Sequence, residues 1–183
     1  LQLVNRNLND TELHDDFSLE ANPFAGTQKS LLAKTVFHFS ESTILSLILD
    51  MQDWDGDWMV KTEKGFVYFP APRAVSSSLG EDEGSRQRIS FKVDLSSENS
   101  SFLDRGSFTL YTQDTEQQQI TVQHQVSFLN GMQAAPTPTM RHSNFQFDQS
   151  LEGLSFQAYK GSSKHQMVYG LDFETTDTTR PRQ

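Results

Sequence analysis

The chain has 183 residues and carries 24 Asp and Glu against 15 Lys and Arg, a formal net charge of −9. That length suits one domain, and such a charge without any run of Lys and Arg argues against a general binder of nucleic-acid backbone. Cysteine is absent, which excludes disulfides, thiolate zinc sites and cysteine nucleophiles, and no apolar run approaches the ~20 residues of a membrane-spanning helix.

Phenylalanine dominates the large apolar residues, with 14 copies against two Trp and four Tyr. Aromatic and β-branched side chains suit a pleated sheet, and few stretches resemble helix-forming runs. The composition therefore predicts a mostly β protein. The chain begins at Leu1 rather than Met; the expectation is an upstream signal or anchor segment that has been removed. The Asn-, Ser-, Thr- and Gln-rich composition suits an extracytoplasmic setting: periplasmic, cell-surface or secreted.

Residues 1–30 read as an irregular segment. A short helix over 10–20 fits, with Thr11 as its cap and Asp15 and Asp16 near its positive end. From Leu31 to Phe39 the sequence LLAKTVFHF alternates as a strand does. The next run, STILSLILDM over 42–51, fits helical spacing and also a buried central strand. Strand is preferred, because the Asp55-Gly56 pair beyond it suits a hairpin turn. Trp58 to Thr62 and Phe66 to Phe69 are then expected to pair. The Pro-, Ser- and Gly-rich stretch 70–87 predicts a mobile loop.

Clean alternation follows at Arg88 to Leu95, Ser107 to Gln113 and Gln119 to Leu129. Asn130-Gly131 marks a turn, and AAPTPTM reads as a loop. Further strands are expected at Asn144 to Asp148, Leu154 to Tyr159 and Gln166 to Phe173, broken at Glu152-Gly153 and at Lys160 to Ser163. The tail 175–183 has little to bury and reads as disordered. These elements sum to a β-rich domain over 31–174, an antiparallel sandwich or jelly-roll-like barrel of about ten strands.

The densest chemistry lies in DWDGDW, residues 53–58. Alternate Asp53, Asp55 and Asp57, with Asp50 nearby, supply the oxygen ligands calcium takes. The EF-hand pattern fails, however: counted from Asp53, its Gly and Glu positions hold Trp58 and Lys64. No other cofactor is implied. As a hairpin tip, the segment instead offers Trp54 and Trp58, flanked by Asp53, Asp55 and Asp57, as a contact surface. An indole face can anchor a protein interface or stack on a sugar ring.

His14, His38, His124, His142 and His165 are scattered, and His124 and His38 read as core residues. Neither a nucleophile elbow nor a phosphate-binding glycine loop is present. Asn9 and Asn99 begin glycosylation-acceptor triplets. Without a catalytic constellation, the sequence predicts a non-enzymatic extracytoplasmic β-domain that binds a partner protein within a surface or envelope assembly. The alternative is carbohydrate binding or processing through Trp54 and Trp58. A removed N-terminal segment followed by a β-meander is similar, in architecture, to the soluble part of pilin-like subunits.

Overall fold

The structure, a computed structural model, describes residues 1–8, 22–61, 64–68, 72–97, 100–128, 135–162 and 164–181. Eight strands are present among them: β1 (Gln2–Leu8), β2 (Phe24–Ser40), β3 (Thr43–Met59), β4 (Gly65–Val67), β5 (Arg73–Ser96), β6 (Arg105–Ser127), β7 (Thr137–Gly161) and β8 (Gln166–Thr179). All pairings are antiparallel. The strands form one open sheet in the order β1-β2-β3-β5-β6-β7-β8, with β4 beside β5 off that path. Nearly every connection is thus an up-and-down hairpin between sequence neighbours.

Strands of ordinary domains run about 3–10 residues. Here β5 has 24, β6 has 23 and β7 has 25. Several expected elements therefore fuse. The Arg88–Leu95 strand is the second half of β5, and residues 73–87, expected as a loop, are its first half. Two expected strands merge into β6, and Glu152-Gly153 lies inside β7 instead of breaking it. Residues 175–179, expected to lack structure, complete β8. Most of 42–51 is strand, as preferred. The short segment at Phe66 pairs with β5, not with β3. The helix expected over 10–20 and the Asn130-Gly131 turn lie outside the described residues.

Strands account for 84% of the described residues, in a single layer. No second sheet covers either face among them, and the eight strands fall short of the ten expected. Among the described residues other than glycine, few are buried: Val75 and Ala158 among apolar residues, Ser46, Ser78 and Ser90 among polar ones. Such a sheet has no conventional core.

The hairpin ends differ. At one end the connections are short: two residues between β2 and β3, eight between β5 and β6, and four between β7 and β8. At the other end they run to 15 between β1 and β2, 13 between β3 and β5 (including β4), and nine between β6 and β7. In the eight-residue connection, Asp104 accepts hydrogen bonds from Lys160 Nζ at 2.6 Å and from the Gly161 amide at 2.8 Å. Those two bonds hold its carboxyl below the usual carboxylate range, the Lys160 contact being the larger influence.

Candidate functional site

Directly paired residues of neighbouring strands project to the same side of the sheet, and successive rows alternate sides. The register therefore sorts the side chains without ambiguity. One row runs Phe37, Leu45, Val93, Phe108, Phe156, Leu171 across β2, β3, β5, β6, β7 and β8. Two residues along the strands, on the same face, lies Thr35, Leu47, Phe91, Leu110, Leu154, Phe173. The rows interleaved with these, on the opposite face, read Val36, Ser46, Lys92, Thr109, Ser155, Asp172 and Lys34, Ile48, Ser90, Tyr111, Gly153, Glu174.

The apolar face is the exposed one. Leu47 is 48% exposed, Ile89 50%, Phe91 40% and Leu110 43%, whereas Ser46 is 2% and Ser90 7%. The two faces are termed open and crowded after this difference in exposure. In a water-soluble domain the large apolar residues would occupy the crowded side. Over these rows most large apolar residues lie on the open side instead.

The crowded face at this level is a polar network. Arg86 donates to Asp50 at 2.8 Å, and Lys92 pairs with Asp94 at 2.8 Å. The Arg88 guanidinium sits 4.2 Å above the Tyr111 ring centroid, and the Tyr111 hydroxyl donates to Glu174 at 2.8 Å.

On the open face the apolar band stops abruptly on its long-loop side. Along β3 it runs Leu45, Leu47, Leu49, Met51 and then turns acidic at Asp53, Asp55 and Asp57. Those residues face Ser85, Glu83 and Glu81 of β5, and Glu116 of β6 faces Asp148 of β7. Like charges directly opposite one another are unfavourable unless water screens them. This panel is therefore a water-facing surface. A shallow groove of about 330 Å³ crosses it between Asp55, Glu83, Glu116 and Asp148.

The structure resolves DWDGDW differently from a hairpin tip. The segment lies within β3, and Asp55 and Gly56 pair with Thr27 and Gly26 on one side and with Glu83 and Asp82 on the other. Strand alternation divides it. Asp53, Asp55 and Asp57 lie on the open face, and Asp55 accepts a hydrogen bond from the Thr27 hydroxyl. Trp54 and Trp58 lie on the crowded face, partly buried, directly opposite Gly84 and Gly80. A Cβ at Gly84 would fall 2.3 Å from Trp54 Cζ2, and one at Gly80 2.1 Å from Trp58 Cε2. Each indole thus occupies the space its cross-strand glycine leaves.

Same-face neighbours along a strand are about 6.8 Å apart, so the three aspartates line up without converging on one cation. Among the described residues, no group of three or more His, Asp or Glu could hold a metal. His38 and His124, expected in a core, are exposed. What sequence reasoning missed is the face-wide pattern: each strand shows only three or four apolar residues of matching parity, and they form a band only once register aligns them. No family model matches the chain, and no match is found among curated proteins or solved structures.

Proposed function

We propose that this chain forms part of the wall of a membrane-spanning antiparallel β-barrel, its open face against lipid and its crowded face towards a polar interior. The observation that carries this reading is the reversed distribution: exposed apolar rows back-to-back with half-buried Lys, Arg, Asp, Ser and Thr. Membrane barrels have an outward apolar band and a polar inside, with strands alternating between the two. No described helix is long and apolar enough to cross a membrane.

Four further features support the reading. The open-face band covers residues 31–39 of β2 and 89–95 of β5. At about 3.4 Å per residue these are roughly 24–31 Å along the strand, reduced to some 18–24 Å by a tilt of ~40°, near the ~25 Å of a barrel's apolar band. The band's long-loop edge also crosses the rows obliquely. It lies at Leu31 and Met51 on β2 and β3, but at Leu110, Leu154 and Phe173 on β6 to β8, four residues nearer the short turns when followed along β3 from Met51 to Leu47. A horizontal membrane drawn on tilted strands gives that slope. Aromatic residues gather at the short-turn end, where Phe39 and Phe102 are 77% and 63% exposed and the Tyr169 hydroxyl donates to the Phe102 carbonyl at 2.7 Å. Short turns on one side and long loops on the other complete the pattern.

Under this reading the protein belongs to an envelope membrane, and lipid is its most extensive partner. Because the chain has no cysteine, single-cysteine variants can be labelled cleanly with a fluorophore and placed in vesicles of brominated lipid. Labels at Leu47, Phe91 and Leu110 should be quenched, and labels at Ser46, Ser90, Thr109 and Asp55 should not. Equal quenching of the two sets, or none at Leu47, Phe91 and Leu110, would refute the proposal.

A further inference from the structure

A membrane wall cannot end in an open edge, because hydrocarbon offers no hydrogen bonds to unpaired backbone groups. Among the described residues β8 pairs only with β7. About half of its N–H and C=O groups therefore point outward along Gln166–Thr179. Its open-face residues Met167, Leu171 and Phe173 are 56%, 63% and 64% exposed. Its crowded-face positions include Asp172 and Glu174, opposite Ser155 and Gly153.

Strand direction narrows what can bind there. Six antiparallel pairings separate β1 from β8 along the sheet, so these two strands run the same way. Joining β8 to β1, of the same molecule or of a second copy held the same way up, makes a parallel pair. Joining β8 to a second copy's β8 in antiparallel fashion puts the two sets of short turns on opposite sides of the membrane. None of these continues an antiparallel wall with all its short turns on one side.

Resting on the membrane-wall reading, we propose that the outer edge of β8 docks one antiparallel strand that is none of β1–β8. That strand enters from the long-loop side. It is polar where it passes Thr175–Thr179 and apolar on its open face opposite Met167–Phe173. On the crowded face it presents Lys or Arg towards Asp172 and Glu174. Main-chain hydrogen bonds hold it, and the alternation of its side chains fixes its register.

The test uses the full chain refolded in detergent micelles and a synthetic peptide of about twelve residues, polar in its N-terminal part and alternating Leu and Lys in its C-terminal part. Hydrogen exchange should show protection of alternate β8 amides and none at β1. Cysteine at Leu171 should form disulfides with peptide cysteines in antiparallel register only, and a peptide of reversed sequence should neither protect nor cross-link. The double variant Asp172→Lys, Glu174→Lys should weaken the peptide about tenfold, as expected for reversing two exposed charges. Absent protection of β8, or cross-links without register preference, overturns the proposal. The brominated-lipid measurement at Leu47 reports independently on the membrane wall, so failure of the docking strand and failure of the wall are distinguished.

Discussion

Placing an arginine at position 47 separates a membrane wall from a sheet in water by a large margin. Leu47 lies in the middle of the open-face band, between Thr35 of β2 and Phe91 of β5, with 48% of its surface exposed. If water bathes that face, Leu47→Arg is a surface substitution worth about 0.5 kcal/mol or less. If lipid covers it, the charge sits near the bilayer midplane and costs about 2–4 kcal/mol. At 1.4 kcal/mol per tenfold, the second case lowers the folding equilibrium roughly 30- to 700-fold.

Reversible unfolding in denaturant, followed by tryptophan fluorescence in lipid vesicles, measures the difference. Asp55→Arg is the matched control: it lies on the same strand and face, four residues beyond Met51, and should cost about 0–1 kcal/mol because it stands outside the band. The same pair in detergent should show a smaller contrast, since micelles adapt around a charge. A Leu47→Arg cost below 0.5 kcal/mol in vesicles, or one no larger than that of Asp55→Arg, would refute the lipid-facing assignment.

The remaining predictions concern the sheet itself. Gly80→Ala should destabilise by about 1–3 kcal/mol, the range for overpacking, because its Cβ would sit 2.1 Å from Trp58 Cε2; combining it with Trp58→Ala should remove most of the penalty attributable to the clash, as read from a double-mutant cycle of denaturant melts. Acid stability should depend on Asp104. The Lys160 ammonium and the Gly161 amide hold its carboxyl below the usual carboxylate range, so its stabilising contribution is complete above that range and is lost as pH falls through the lower, folded value. Asp104→Asn should therefore flatten the stability profile in that acidic window, measured by melts at stepped pH. Adding EDTA should leave the melting temperature unchanged, because the spacing of Asp53, Asp55 and Asp57 along one strand does not gather them around one ion; a fall that calcium restores would contradict that geometry.

Local patterning made the β class legible, and it also exposed strand parity where the crowded side is uniformly polar. Arg88 to Leu95 is the clearest case: Ser90, Lys92 and Asp94 alternate with Ile89, Phe91, Val93 and Leu95. Over 44–49 the pattern blurs because Ile44 and Ile48 lie on the crowded face, which makes the run apolar on both sides and lets it fit a helix. The long first half of β5 was illegible for another reason. Glycines and serines usually mark turns, but Gly80 and Gly84 are mid-strand residues whose missing Cβ atoms make room for Trp58 and Trp54. That requirement comes from a strand more than 20 residues away in sequence, and no local window contains it. The edges of the sheet were equally out of reach, because strand order and direction belong to the assembled ladder.

The same register changes the meaning of DWDGDW. A period of two places acids and indoles on opposite sides of one strand, so their adjacency in sequence does not make them one surface. The aspartates begin two residues after Met51, where the open face leaves its apolar band. From there it opposes carboxylate to carboxylate, at Asp55 and Glu83 and again at Asp57 and Glu81. Such pairs are tolerable only in water, while exposed rows of Leu, Ile and Phe suit hydrocarbon. Both kinds of row occur on one continuous face of one strand, with no intervening turn and, among the described residues, no second sheet over either. A single solvent does not account for that juxtaposition. Under the proposed membrane wall, a boundary between two solvents accounts for it, and β3 would cross that boundary at the step from Met51 to Asp53.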